Sequence, residues 1–202
     1  MFVFRPCSVG GCGKPAVGPF DTCAAHDRDP NRLQAWLRET LGPGRSIADL
    51  CLAGISLADI DMSGMQIVGC ELSGAKLEKV NLQGTRWQHV FIDDGSLTRC
   101  DFSGADIRSS VFSGSIVEEC LFLESDLVMC NFLGARCHDS RFDHSNLYGS
   151  RFLGARFQSV SMKDCNLTRA YFTAGQEAAV DLRSSNTNEA VFITETASGC
   201  AP

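Results

Sequence analysis

From Ile47 onward, every fifth residue of the chain is apolar with few exceptions. The series opens Ile47, Leu52, Leu57, Met62, Ile67 and Leu72, passes through Phe102, Ile107 and Phe112, and weakens only at Glu177 and Thr187 before Phe192. Two residues before most of these stands a small side chain, as at Ala75, Thr85, Cys100, Ala105, Ser110, Ser140 and Ala170; the first few are bulkier, with Leu50, Ile55, Ile60 and Met65. The remaining three positions are mainly polar, charged or glycine. A helix repeats near 3.6 residues and a strand near 2, so a period of five is neither. It fits a chain that turns a corner in every repeat and sends one large and one small side chain inward each time. Glycine two residues after the centre, at Gly54, Gly64, Gly74 and Gly84, suits such corners because it tolerates conformations closed to other residues.

Segments such as Ala105-Asp106-Ile107 and Cys165-Asn166-Leu167 match the pattern Ala-(Asp/Asn)-Leu-X-X. On them the sequence resembles the pentapeptide-repeat family over residues 46–194. The resemblance implies an all-β chain wound as a right-handed quadrilateral β-helix, four repeats or twenty residues to a coil. About seven coils at ~4.8 Å give a rod roughly 35 Å long. With that coil length, Leu52, Leu72, Ile92, Phe112, Phe132, Phe152, Phe172 and Phe192 form one inward column, a phenylalanine ladder along one wall. Cys100 and Cys120 stack in a small-residue column as packing residues rather than a redox pair.

An open end of a β-helix is an unpaired edge and needs a cover. Asp29-Pro30 reads as an N-cap and first helical residue, Leu33, Trp36, Leu37 and Leu41 share one apolar stripe, and Gly42-Pro43-Gly44 stops the helix. The expected organisation is therefore a Cys/His-rich segment over 1–28, a capping helix and linker over 29–45, the repeat domain over 46–194 and a tail over 195–202 without a comparable cover. In the first segment, Cys7, Cys12, Cys23 and His26 supply three thiols and an imidazole, a donor set suited to tetrahedral zinc. The segment has too few apolar residues for a core of its own, so a structural zinc ion would explain how it folds.

Charge narrows the function. The chain carries 18 Lys and Arg against 24 Asp and Glu, a net charge of −6, with the excess on the repeats; a general nucleic-acid binder has the opposite balance. No apolar run reaches the ~18 residues of a membrane span. The first residues turn polar too soon for a signal peptide. Eleven cysteines without an export signal are expected as reduced thiols in the cytoplasm. Carboxylates and the histidines His89, His138 and His144 fall on outward positions of a convex rod, where no desolvated cleft gathers them, so an enzyme is not expected.

What remains is the outside of the rod. The wall bearing the phenylalanine ladder also carries the outward apolar residues Phe91, Val111, Leu133, Leu153, Tyr171, Val191 and Ile193, and a concentration of that kind marks an interface. The expected function is a non-enzymatic scaffold that presents this wall to a protein partner; docking onto a second copy as a homodimer is one form of it. Asp101, Asp106, Glu118, Glu119, Glu124 and Asp126 cluster in two neighbouring coils, and Arg136, Arg141, Arg151 and Arg156 form a band beyond them. The resemblance implies an alternative function: some members of the family bind DNA gyrase and shield it from inhibitors by imitating duplex DNA, for which the six carboxylates would be the acidic surface.

Overall fold

The computed structural model describes residues 4–23, 25–27 and 29–194. The expected repeat fold is present. Residues twenty apart pair in parallel along the rod, from Ser46↔Gln66 and Ile47↔Ile67 to Phe172↔Phe192, giving a parallel β-solenoid of about seven coils with four walls. The first wall carries the Ile47 column, with strands β1 (Ser46–Ala48), β3 (Gln66–Val68), β5 (Arg86–Gln88) and β7 (Asp106–Arg108). The third, opposite it, carries β2 (Ser56–Ala58), β4 (Lys76–Glu78), β6 (Ser96–Thr98), β8 (Ile116–Glu118), β9 (Arg136–His138) and β11 (Arg156–Gln158). The second wall, on the Leu52 column, and the fourth, on the Met62 column, are mostly single bridges. They form strands only late: β10 (Arg151–Phe152), β13 (Tyr171–Thr173) and β15 (Val191–Ile193) on the second, β12 (Val160–Ser161) and β14 (Val180–Asp181) on the fourth.

The interior holds two phenylalanine ladders. Phe112, Phe132, Phe152, Phe172 and Phe192 stack on the second wall with centroid spacings of 4.7, 5.0, 5.1 and 5.4 Å. Phe102, Phe122 and Phe142 stack on the facing fourth wall at 4.6 and 4.7 Å. These spacings are close to the separation of stacked strands, so the coil rise itself sets the rings in offset contact. Across the rod the ladders meet edge-to-face, Phe112 on Phe122 at 6.5 Å and Phe132 on Phe142 at 6.0 Å, the other arrangement that the ring quadrupole favours. Towards the N-terminus aliphatic side chains take over, and a small apolar cavity lies among Leu52, Leu72, Leu82 and Trp87.

Small inward residues do more than save space. Ser140 Oγ accepts from Cys120 N at 3.0 Å and donates towards the carbonyls of His138 and Val117 at 2.8 and 3.2 Å. Ser110, Ser145, Ser150 and Ser185 likewise accept the backbone N–H of the coil before. Cysteines at equivalent positions donate in the same direction, Cys120 to Leu97 O at 3.4 Å and Cys165 to Phe142 O at 3.0 Å. Buried backbone groups at the corners thus find partners that a sheet ladder does not reach. Cys100 and Cys120 are buried free thiols, as expected from packing.

Helix α1 (Pro30–Thr40) closes the N-terminal end. Asp29 caps it by accepting from Asn31 N at 2.9 Å, and Leu41 N–H returns to Leu37 O. Leu37 and Leu41 are buried in the same core as Ile47 and Leu52, with Leu33 and Trp36 half-buried beside them. No helix among the described residues is long and apolar enough to cross a membrane. The expected tail over 195–202 lies outside the described residues. One local departure from regular repeats occurs at Gln176–Ala178, where a 3-10 turn replaces the strand that would have followed β11. Glu177, at a centre position, is exposed there. The twenty-residue count survives, because Val160 still pairs with Val180.

Candidate metal centre and binding surfaces

Cys7 and Cys12 lie on a short antiparallel hairpin tied by Cys7 N to Lys14 O at 2.9 Å and Ala16 N to Arg5 O at 2.8 Å. Cys23 and His26 lie on the next turn, where His26 N–H bonds Cys23 O. The hairpin and turn bring all four ligand atoms within 4.8 Å of one another. A tetrahedral ion with bonds of ~2.3 Å to sulfur and ~2.0 Å to nitrogen has edges of about 3.8 Å between sulfurs and about 3.5 Å between sulfur and nitrogen. Cys12 and Cys23 Sγ are 3.7 Å apart, and Cys7 and Cys23 Sγ are each 3.5 Å from His26 Nδ1. The donors therefore fit a tetrahedral metal. Backbone N–H groups of Cys23 and Val9 point at Cys7 Sγ and bring its pKa down to about 6, so the thiolate that a metal needs is favoured there. The cluster is joined to the rod: Gly18 N donates to Cys51 O at 2.8 Å, Phe20 meets Trp36 of α1 edge-on at 6.2 Å, and Arg32 lies 3.9 Å over the Phe20 ring.

The apolar residues expected on one wall do share the second wall, in two columns on either side of the ladder. Phe91 and Val111 bridge to each other, and Tyr171 pairs with Val191. Between them the column is interrupted by Asn131 and Arg151. Leu133, Val191 and Ile193 are exposed, whereas Phe91, Val111, Leu153 and Tyr171 are half-buried. Of the six exposed large hydrophobic residues among those described, three are on this wall and a fourth, Met129, stands at its border with the first wall.

The six carboxylates do not form a single face. Asp106 and Asp126 bridge on the first wall, Asp101 is on the fourth, Glu118 is on the third, and Glu119 and Glu124 occupy corners. Several are engaged: Asp106 with Arg86 and Arg108, Glu119 with Arg99, Asp101 with Gln83 and Ser103, Asp126 with Asn146. The arginine band also divides. Arg136 and Arg156 pair in register on the third wall, Arg151 is on the second, and Arg141 is on the fourth, bonded to Asp143.

Asp143 is the buried acid a catalytic search would stop at. Burial works to raise its pKa, but the Ser161 hydroxyl, Lys163 N–H at 3.0 Å and the Arg141 guanidinium at 2.9 Å outweigh it and hold the carboxyl below its usual range. Its carboxylate oxygens are taken up by these three donors. A surface groove of about 230 Å³ lined by Met129, Tyr148, Gly149, Arg151, Arg169 and Tyr171 was not anticipated as a unit. Its signal was the placement of the chain's two tyrosines one coil and three residues apart, which sets them on adjoining walls of neighbouring coils.

The family model for pentapeptide repeats matches the chain in eight copies, over residues 52–86 and 135–173. Over those residues the chain carries pentapeptide repeats. No curated protein matches it. Among solved structures it is similar to a pentapeptide-repeat protein from the thylakoid lumen of Arabidopsis thaliana, at 24% identity over 45% of this chain and 59% of that one, with a TM-score of 0.37. It thus spans 59% of the length of that Arabidopsis protein. It is also similar to QnrB1, a plasmid-mediated fluoroquinolone resistance protein, at 17% identity over 71% and 84% of the two chains and a TM-score of 0.44. A third is HetL, involved in heterocyst differentiation regulation in Nostoc sp. strain PCC 7120, at 15% identity over 74% and 81%, with a TM-score of 0.31.

Proposed function

We propose that this chain is a non-enzymatic scaffold that docks a protein partner on its second wall. The observation that carries the reading is the gathering of Met129, Leu133, Val191 and Ile193, four of the six exposed large hydrophobic residues described, on that wall and its border. Surface apolar area of this kind is costly to leave in water and is common at interfaces. Leu153, Tyr171, Val111 and Phe91 extend the same stripe. The test is affinity capture from the native host with wild type and the Leu133→Glu/Leu153→Glu variant, with circular dichroism as the folding control. A partner, or a second copy seen by sedimentation, that is lost with the double variant supports the reading. Partners retained unchanged refute it.

The alternative, gyrase protection by DNA mimicry, needs a contiguous acidic face. The spread of the six carboxylates over three walls and two corners weighs against it, and a supercoiling assay with and without the protein decides. The Cys7, Cys12, Cys23 and His26 centre is read as structural zinc, since all four tetrahedral positions are filled by protein donors. Metal analysis of the purified chain should give about one zinc per chain, falling below one-tenth in Cys23→Ser, and thermal unfolding of that variant should move down. Thiol ligands and free cysteines suit a reducing compartment, so the cytoplasm is the proposed location.

A further inference from the structure

The second wall and its borders are free of acid over three successive coils in the C-terminal half of the rod, up to Glu189 at the corner of the last coil. Residues 128–136, 148–156 and 168–176 hold no Asp or Glu and four arginines, Arg136, Arg151, Arg156 and Arg169, in a chain of net charge −6. Arg136, Arg151 and Arg156 make no ion pair among the described residues, and Arg169 meets Glu189 only at 3.9 Å with both side chains well exposed. Within this region lies the groove. Its floor is at Gly149, which stands between Met129 and Arg169 in one corner column; the Met129 thioether lies over it, with Sδ 2.5 Å from where a Cβ would stand. Its sides are aromatic and cationic. Arg169 donates to Tyr148 OH at 3.0 Å and lies 5.9 Å from that ring, and Arg151 lies 5.7 Å over Tyr171.

We propose that this groove receives an acidic segment of a partner protein, one carboxylate seated between the Arg151 and Arg169 guanidiniums and an adjacent apolar side chain set against Met129 and Leu133. The proposal rests on the second-wall reading and names its chemistry. Tyrosine, arginine and methionine are the residue types enriched at protein interfaces, and guanidinium recognises carboxylate through paired hydrogen bonds. A short segment senses chiefly charges within about 8 Å at physiological salt, where Arg151 and Arg169 line the groove and Glu189 stands beside Arg169. A nucleic acid strand runs further and meets the excess acid of the rod. Two copies facing each other through the same patch would oppose arginine with arginine.

The chain's two tyrosines both line the groove, so 3-fluorotyrosine labelling gives two ¹⁹F resonances that report on it alone. The probe is an acetylated nonapeptide of repeated Glu-Glu-Leu, with a Lys-Lys-Leu nonapeptide and a single-stranded oligonucleotide as comparisons. Both resonances should shift with the Glu-Glu-Leu peptide. Affinity should fall at least about tenfold in Arg151→Glu/Arg169→Glu, in Gly149→Met, which pushes Met129 off the floor and into the groove, and at high salt. No shift with the acidic peptide, an equal shift with the basic one, tighter binding of the oligonucleotide, or an Arg151→Glu/Arg169→Glu variant within twofold of wild type overturns the proposal. If host partners are lost with Leu133→Glu/Leu153→Glu but kept with the arginine variant, the groove fails while the wider wall survives.

Discussion

Phe132→Ala isolates what the ladders contribute. Phe132 is fully buried and touches three rings: Phe112 at 4.7 Å and Phe152 at 5.0 Å in stacks, Phe142 at 6.0 Å edge-on. Truncating a buried Phe to Ala costs about 3–5 kcal/mol in lost transfer energy and cavity. Each aromatic pair adds about 0.5–1.5 kcal/mol beyond its area, so the loss should sit at or above the top of that range. Phe192 is the control on the same ladder: it is half-buried and stacks on Phe172 at 5.4 Å, so Phe192→Ala should cost about 1–2 kcal/mol. Each coil touches only its neighbours, so a lesion in mid-rod can also uncouple the halves. Guanidinium unfolding followed by circular dichroism and by the fluorescence of Trp36 and Trp87, both in the N-terminal half, reads both effects. For Phe132→Ala the dichroism midpoint should fall well below that of the tryptophan fluorescence; for Phe192→Ala the two should stay close. A Phe132→Ala loss no greater than that of Phe192→Ala would refute the argument that the interlocked rings hold the rod.

Four further outcomes follow from buried contacts. Ser140→Ala strands Cys120 N–H and should cost about 1–2 kcal/mol, with Ser140→Cys recovering part of it, since cysteines already donate from such positions; chemical denaturation compares the three. Gly95→Ala should destabilise by about 1–3 kcal/mol, because a Cβ there would stand 2.8 Å from Ile92 Cγ1 and 2.9 Å from its carbonyl. Asp143→Asn should cost about 2–3 kcal/mol at neutral pH through its charged hydrogen bonds. The folded pKa of Asp143 is depressed, so that difference is present above the ordinary carboxylate pKa near ~4 and should close as pH falls below it; melting curves across pH 3–7 measure the closure. Gln176→Leu removes the bonds that Nε2 donates to Phe152 O at 3.0 Å and to Ala155 O at 2.5 Å, and the one that Oε1 accepts from Thr173 N at 2.7 Å. Amide exchange in the last two coils should accelerate while the first coils are unchanged.

The five-residue period made the corners legible, with one large and one small inward position in each repeat; that four repeats make a coil is what the resemblance to the pentapeptide-repeat family implies, and residues twenty apart do pair. Once twenty residues make a coil, the column containing Phe112, Phe132 and Phe152 is arithmetic, and so is the facing column of Phe102, Phe122 and Phe142, which attention to a single wall passed over. Serine read as merely small hid its hydroxyl, because its partners are a backbone N–H one coil back and carbonyls two and twenty-three residues back, and no local pattern encodes those. The four metal donors were legible from residue type alone. Their convergence to tetrahedral edges was not, since it depends on how the hairpin at Cys7 and the turn at Cys23 are folded against each other. The six clustered carboxylates misled for the converse reason. Proximity in sequence spans two coils, and within a coil successive repeats face different directions.

A solenoid with so regular an interior leaves specificity to its irregularities, and these are not scattered at random along the chain. The Cys/His cluster and α1 close one end, joined to the first coil through Cys51. At the other end the 3-10 turn at Gln176–Ala178 interrupts the third wall, so β11 is the last strand of its sheet. Gln176 Nε2 donates to Ala155 O, the carbonyl whose counterpart one coil earlier, Ala135 O, accepts from Arg156 N, and so offsets part of the penalty for stopping there. The consequence is that Arg156 stands on an outermost rung, stacked on Arg136 and next to the corner that leads to Leu133 and Leu153. Basic charge is thereby kept uncovered beside the apolar stripe in the half of the rod where the stripe is exposed. A closed sheet would have placed another coil over it. The same residue that preserves the backbone bonding also preserves the edge of the surface to which a partner would dock.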